Sequence, residues 1–72
     1  MTINKQLGAR IRYLRQQKNM SIEELALEAD INRNYLGDLE RGVRNPTLII
    51  LNKIAVALDV DLSVLFEGIK EI

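Results

Sequence analysis

Seventy-two residues leave room for one small hydrophobic core and exclude a second folded unit or a separate ligand-binding domain. There is no cysteine and no histidine, which removes disulfides, thiolate metal sites and the commonest proton-transfer side chain. The formal net charge is zero, and no apolar run approaches the ~18–20 residues of a membrane span or opens the chain as a signal peptide. A cytoplasmic protein is the expectation, with no linker, repeat or low-complexity segment to divide residues 1–72.

Taken in chain order, residues 4–18 place Leu7, Ile11 and Leu14 on one helical stripe. Asn19, which tolerates a left-handed backbone, is the natural stop. Ser21 and Glu24 then form a capping box for a second helix, with Leu25, Ala26 and Ala29 on one face and Glu23, Glu24 and Glu28 turned away. Asp30-Ile31-Asn32 interrupts it, and Asn32 caps a third helix over about Arg33–Arg41. Leu36 and Leu39 point inward there, leaving Arg33, Asn34, Tyr35 and Asp38 on a polar outer face, and Gly42 ends the helix. Pro46 and Thr47 start a fourth helix, with Leu48, Leu51, Ile54, Ala55 and Leu58 on its buried side. Asp61 caps a fifth that contains Leu62, Leu65 and Phe66. The predicted fold is an all-α bundle of five short helices. A short polar-faced helix pinned by the one before it has the geometry that enters a DNA major groove, a helix-turn-helix made by helices 2 and 3.

Zero net charge argues against a nucleic-acid partner, but the sign is segregated along the chain. Residues 1–22 carry +5, residues 23–30 carry −4, residues 31–46 carry +1 and residues 47–72 carry −2. Such a balance weakens non-specific DNA binding and its salt dependence.

The run Ser21, Glu24-Leu25-Ala26, Leu39-Glu40-Arg41-Gly42 and Asn45-Pro46-Thr47-Leu48 resembles the lambda-repressor-like (XRE-type) helix-turn-helix family, over roughly residues 5–66. Within it, Arg33-Asn34-Tyr35-Leu36-Gly37, Glu40-Arg41-Gly42 and Arg44-Asn45-Pro46 are most similar to the small controller proteins of restriction-modification systems. The resemblance implies a five-helix DNA-binding domain and pairing of Arg15 with Glu40 as a structural brace between helices 1 and 3. Near the C-terminus of helix 3 the dipole disfavours the negative charge of Glu40, so a cation is wanted there. One departure stands out: the family often has glutamine directly after the helix 2 cap, and this chain has Ile22.

On the recognition face, Arg33 suits bidentate pairing with guanine, against a phosphate contact or a solvated charge. Asn34 suits adenine, or is simply a polar surface residue. Tyr35 offers a hydroxyl to DNA, because Leu36 and Leu39 already fill the inward face. Asp38 either accepts from cytosine or repels phosphate from wrong registers. Gly37 costs the helix about 1 kcal/mol relative to alanine, which a close approach to DNA or to helix 2 would explain. DNA-backbone contacts are expected from the helix 2 start at Ser21, Ile22 and Glu23, from Arg41, Arg44 and Asn45, and from Arg12, with entry into a narrow minor groove as the alternative for Arg44.

Ile49 and Val56, seven apart on helix 4, join Val64, Ile69 and Ile72 as apolar residues outside the core stripe. They suggest a homodimer interface, with residues 66–72 as an extension that contributes to it, or a tail that folds back over Ile49. The partners expected are double-stranded DNA, a second copy of the chain and, in activation, RNA polymerase. No cofactor, metal, small-molecule ligand or membrane is expected. Catalysis is not expected either: there is no Gly-rich phosphate loop, and neither Ser21 nor Ser63 lies in a motif with a base. The reading is a transcription regulator on an inverted-repeat operator. A restriction-modification controller, or an antitoxin or interaction module of the same fold, remain alternatives.

Overall fold

A computed structural model describes residues 2–70. It contains four α-helices, α1 (Ile3–Gln17), α2 (Ile22–Ala29), α3 (Arg33–Glu40) and α4 (Leu48–Ala57), followed by a 3-10 helix over Leu62–Phe66. No strand occurs among the described residues.

Each α-helix starts at a side-chain oxygen that answers an otherwise orphaned amide. Thr2 Oγ1 accepts from the Lys5 amide at 3.2 Å, so α1 begins at Ile3. The capping box of α2 is closed in both directions: Glu24 N donates to Ser21 Oγ at 3.0 Å and Ser21 N to Glu24 Oε1 at 2.8 Å. Asn32 Oδ1 takes the amides of both Asn34 (2.8 Å) and Tyr35 (3.1 Å). Thr47 Oγ1 takes the amide of Ile50 at 3.1 Å. This moves the start of α4 to Leu48, so Pro46 and Thr47 precede the helix rather than begin it.

The stops are left-handed residues. Asn19, Asp30 and Asp59 have φ of 55°, 55° and 56°, and Gly42 has φ of 80°. Asp and Asn tolerate this region better than other side chains because a short polar group can bond locally.

The fifth α-helix of the sequence reading is a 3-10 helix instead. The Asp61 side chain makes no capping bond there, and the backbone bonds run i to i+3, as in Val64 N to Asp61 O at 2.9 Å. Five residues without a side-chain cap do not sustain an α-helical nucleus. Leu65 is fully buried, whereas Phe66 stays 42% exposed.

The core is a single cluster built from Leu7 and Ile11 of α1, Leu25, Ala26 and Ala29 of α2, Leu36 and Leu39 of α3, Leu51, Ile54, Ala55 and Leu58 from α4, and Leu65. Leu14 is half-buried against it. Leu48, expected inside, is 65% exposed; it occupies the first turn of α4 at the edge of the buried stripe.

α1 ties both ends of the chain together. Asn4 Nδ2 donates to Asn45 Oδ1 at 2.6 Å. The Gln6 amide pairs with the Lys70 backbone in both directions, each at 2.9 Å, and Arg10 Nε donates to Val64 O at 3.0 Å.

Gly37 does not mark a close approach to α2. A Cβ there would lie 3.4 Å from Arg41 Nη1 and 3.6 Å from Ile22 Cδ1, both ends of flexible side chains. Gly37→Ala is therefore expected to stabilise the protein by about 0.5–1 kcal/mol through helix propensity. Urea melts followed by helical circular dichroism check this, and a lower midpoint would contradict it. If the stabilised variant binds DNA more weakly, the glycine serves the DNA contact.

Candidate nucleic-acid interface

α2 and α3 are joined by Asp30-Ile31-Asn32, and the Asn32 side chain caps the first turn of α3. Arg33 and Asn34 are exposed at this tip. Arg33 Nε donates to Glu23 Oε2 at 2.8 Å, across the turn. That bond, first among the causes, holds the Glu23 carboxyl below its ordinary value.

Tyr35 is half-buried, packed in part against the core. The Arg44 guanidinium stands 5.3 Å from its ring centroid, within cation–π range. Asp38 is engaged on both oxygens. Its Oδ1 pairs with Arg41 Nη2, and its Oδ2 accepts from Arg44 Nε and Nη2 at 3.2 Å each. The residue expected to face a base thus gathers the two arginines expected over the DNA backbone. Asn45 is anchored to Asn4.

At the start of α2, Ser21 Oγ is occupied by the capping box, and its amide bond to Glu24 lowers the Glu24 carboxyl below its ordinary value. Ile22 turns inward, half-buried against the core. Arg12 lies away from this tip. It lines an open groove of about 360 Å³ between α1 and the end of α3, with Lys5, Ala9, Tyr13, Gln16, Glu40 and Arg41.

Arg15 and Glu40 join α1 to α3 behind the recognition face. Arg15 Nε donates to Glu40 Oε2 at 2.8 Å and Nη2 to Oε1 at 3.0 Å, a bidentate pair. Nη1 also donates to Met20 O at 2.9 Å. The hydrogen bond to Glu40 raises the Arg15 pKa above its ordinary value.

Of the five residues expected at a partner surface, Ile49 and Val56 are 72% and 70% exposed. Val64 is half-buried, and Ile69 is half-buried against the chain's own core. Ile72 lies outside the described residues. The described part of the tail, to Lys70, runs back onto α1 through Gln6, and Ile49 stays exposed. Among the described residues no helix is long and apolar enough to cross a membrane, and no group of three or more Asp or Glu side chains is placed to hold a metal ion.

The profile of the helix-turn-helix family matches residues 11–65, from the middle of α1 to the 3-10 helix. The chain belongs to the helix-turn-helix family. The control protein C.BamHI of Bacillus amyloliquefaciens is 48% identical over 54 residues, covering 74% of this chain and 67% of that protein. The transcriptional regulator SlrR of Bacillus subtilis is 40% identical over 63 residues. These are 86% of this chain and 41% of SlrR, so the chain spans less than half of that longer relative. The fold also superposes on the controller protein C.Esp1396I, solved as a tetramer in complex with its natural 35-base-pair operator. That match has a TM-score of 0.86 and 30% identity, covering 96% of this chain and 91% of that one.

Four features of the interface escaped the sequence reading: the Glu23–Arg33 pair, the Arg41–Asp38–Arg44 cluster, the Arg44–Tyr35 stacking and the Asn4–Asn45 bond. The Asp38–Arg41 pair had a sequence signal, since oppositely charged residues three apart on a helix are neighbours. The others join residues across a turn, a loop or the whole fold, where spacing carries no information.

Proposed function

We propose that this helix-turn-helix transcription regulator binds an inverted-repeat operator as a homodimer, in the role of a restriction-modification controller. The observation that carries the proposal is the exposed first turn of α3, where the donor-rich Arg33 and Asn34 project from a helix held by α2. In this reading α3 enters the major groove, Arg33 pairs with guanine, and Asn34 and Tyr35 contact neighbouring bases. Arg41 and Arg44 lie over the sugar-phosphate backbone, held in place by Asp38. The carboxylate of Asp38 thus acts through its two arginines rather than on a base. The exposed pair Ile49 and Val56 on α4 forms the centre of the two-fold contact, setting the recognition helices about 34 Å apart. The 48% identity to C.BamHI supports the controller role.

The test is selection from a random-sequence duplex library by the purified protein at near-physiological salt. Enrichment of an inverted repeat with half-sites about one helical turn apart is the expected result. Arg33→Ala should then weaken binding to the enriched duplex by about 1–3 kcal/mol and relax preference at one base pair per half-site. No enrichment by the folded protein would reject DNA reading in favour of an interaction module.

A further inference from the structure

Arg33 is the residue to which the proposed function assigns base reading, and the structure shows it already engaged. Its Nε is spent on Glu23 Oε2 at 2.8 Å, while neither terminal nitrogen has an acceptor among the described residues. A guanidinium offers its donors in fixed, coplanar pairs. With the Nε edge turned to Glu23, the edge carrying Nη1 and Nη2 is the one left to meet guanine O6 and N7. Ile22 turns into the core and the Glu24 carboxylate is held by the Ser21 amide, so Glu23 is the side chain of the first turn of α2 left to do this.

The pair contributes little to the fold. The side chains of Arg33 and Glu23 are 55% and 62% exposed, and ion pairs this open are screened and weak. Its consequence lies elsewhere. A free arginine at the tip of a helix samples many rotamers and loses that freedom when it docks on a base. Tethering Nε removes part of the loss before DNA arrives. In the proposed docking the start of α2 faces the DNA backbone, so this carboxylate opposes any register in which Arg33 finds no base to offset the repulsion.

We propose that Glu23 is a specificity-determining residue, which positions the Nη1–Nη2 edge of Arg33 and penalises DNA lacking the matching base. The inference rests on the base-reading role of Arg33, and its test separates the two. The duplex enriched from a random-sequence library by the unaltered protein, and its three single-base variants at the pair whose preference Arg33→Ala abolishes, are the probes. Glu23→Ala is expected to lower discrimination at that same pair about tenfold, while tightening binding to unrelated duplex. Glu23→Gln keeps an acceptor without the charge and is expected to retain an intermediate preference. Thermal melting of both variants should match the unaltered protein.

If Glu23→Ala shifts affinity equally for all four duplexes, the positioning role is overturned and the reading of Arg33 stands. If Arg33→Ala changes no base preference, the reading of Arg33 fails, and the role of Glu23 fails with it.

Discussion

Arg15→Met is expected to destabilise the protein by about 3–5 kcal/mol, enough to leave most of the chain unfolded at room temperature. The reason is the state in which it leaves Glu40. The Glu40 side chain is 7% exposed and the Arg15 side chain 13%, so neither charge is solvated by much water. Removing one partner of a buried pair strands the other, and a stranded buried charge is among the largest single-site penalties known. Two local features add to it. Glu40 is the last residue of α3, where the helix dipole already disfavours an anion, and Met20 O loses the donor it now has in Arg15 Nη1. A core this small supplies about 3–5 kcal/mol in total, so the loss is comparable to the whole stability. The control is Arg15→Met combined with Glu40→Leu, which removes both charges and keeps the volume. Replacing a whole buried pair by apolar groups is often neutral, so the double variant should recover most of the loss. Urea titration of the single and double variants decides it: a single variant within about 0.5 kcal/mol of the unaltered protein would show that the pair is solvated after all.

Much of this architecture was readable because it is local. The Ser21–Glu24 box, the Asn32 cap and the stop at Asn19 each involve residues within three or four of one another, and the stripes of α1, α2 and α3 follow directly from helical spacing. The misreadings mark where local preference competes with context. Proline favours the first helical position, which points to Pro46, but the Thr47 hydroxyl takes the Ile50 amide and sets the start two residues later, at Leu48. Asp61 has the composition of a cap and makes no capping bond, so the segment behind it closed as a 3-10 helix. The outer-face position of Asp38 follows from helical spacing, whereas its pairing with Arg44 does not, because Arg44 sits in a loop whose path no spacing rule specifies. The Glu23–Arg33 pair spans a turn in the same way. The two glycines of the α1 and α3 interiors are the sharpest case, since identical residues inside helical runs face different neighbours: backbone at Gly8 and side-chain ends at Gly37.

Gly8→Ala is expected to destabilise the protein by about 2–3 kcal/mol, although helix propensity alone favours the change by about 1 kcal/mol. Gly8 sits in the middle of α1, fully inside a helical run, and the sequence offers no turn or positive φ to account for it. Its reason is tertiary. An added Cβ would stand 2.5 Å from the Glu40 carbonyl oxygen and 2.8 Å from the Glu40 carbonyl carbon. These are backbone atoms at the end of α3, so relief requires moving one helix from the other rather than turning a side chain. That movement would also stretch the bidentate Arg15–Glu40 bonds, which span the same α1–α3 contact. Gly8→Ala and Arg15→Met should therefore be markedly less than additive, since each removes part of what the other depends on. Gly37 is the internal comparison. A Cβ there meets only the ends of the Arg41 and Ile22 side chains, and its substitution by alanine is expected to raise stability. Two glycine-to-alanine changes inside helices of one small protein thus carry opposite signs. A parallel rise in both urea midpoints would mean that propensity outweighs packing at the α1–α3 contact, and that α1 approaches α3 less closely than these distances require.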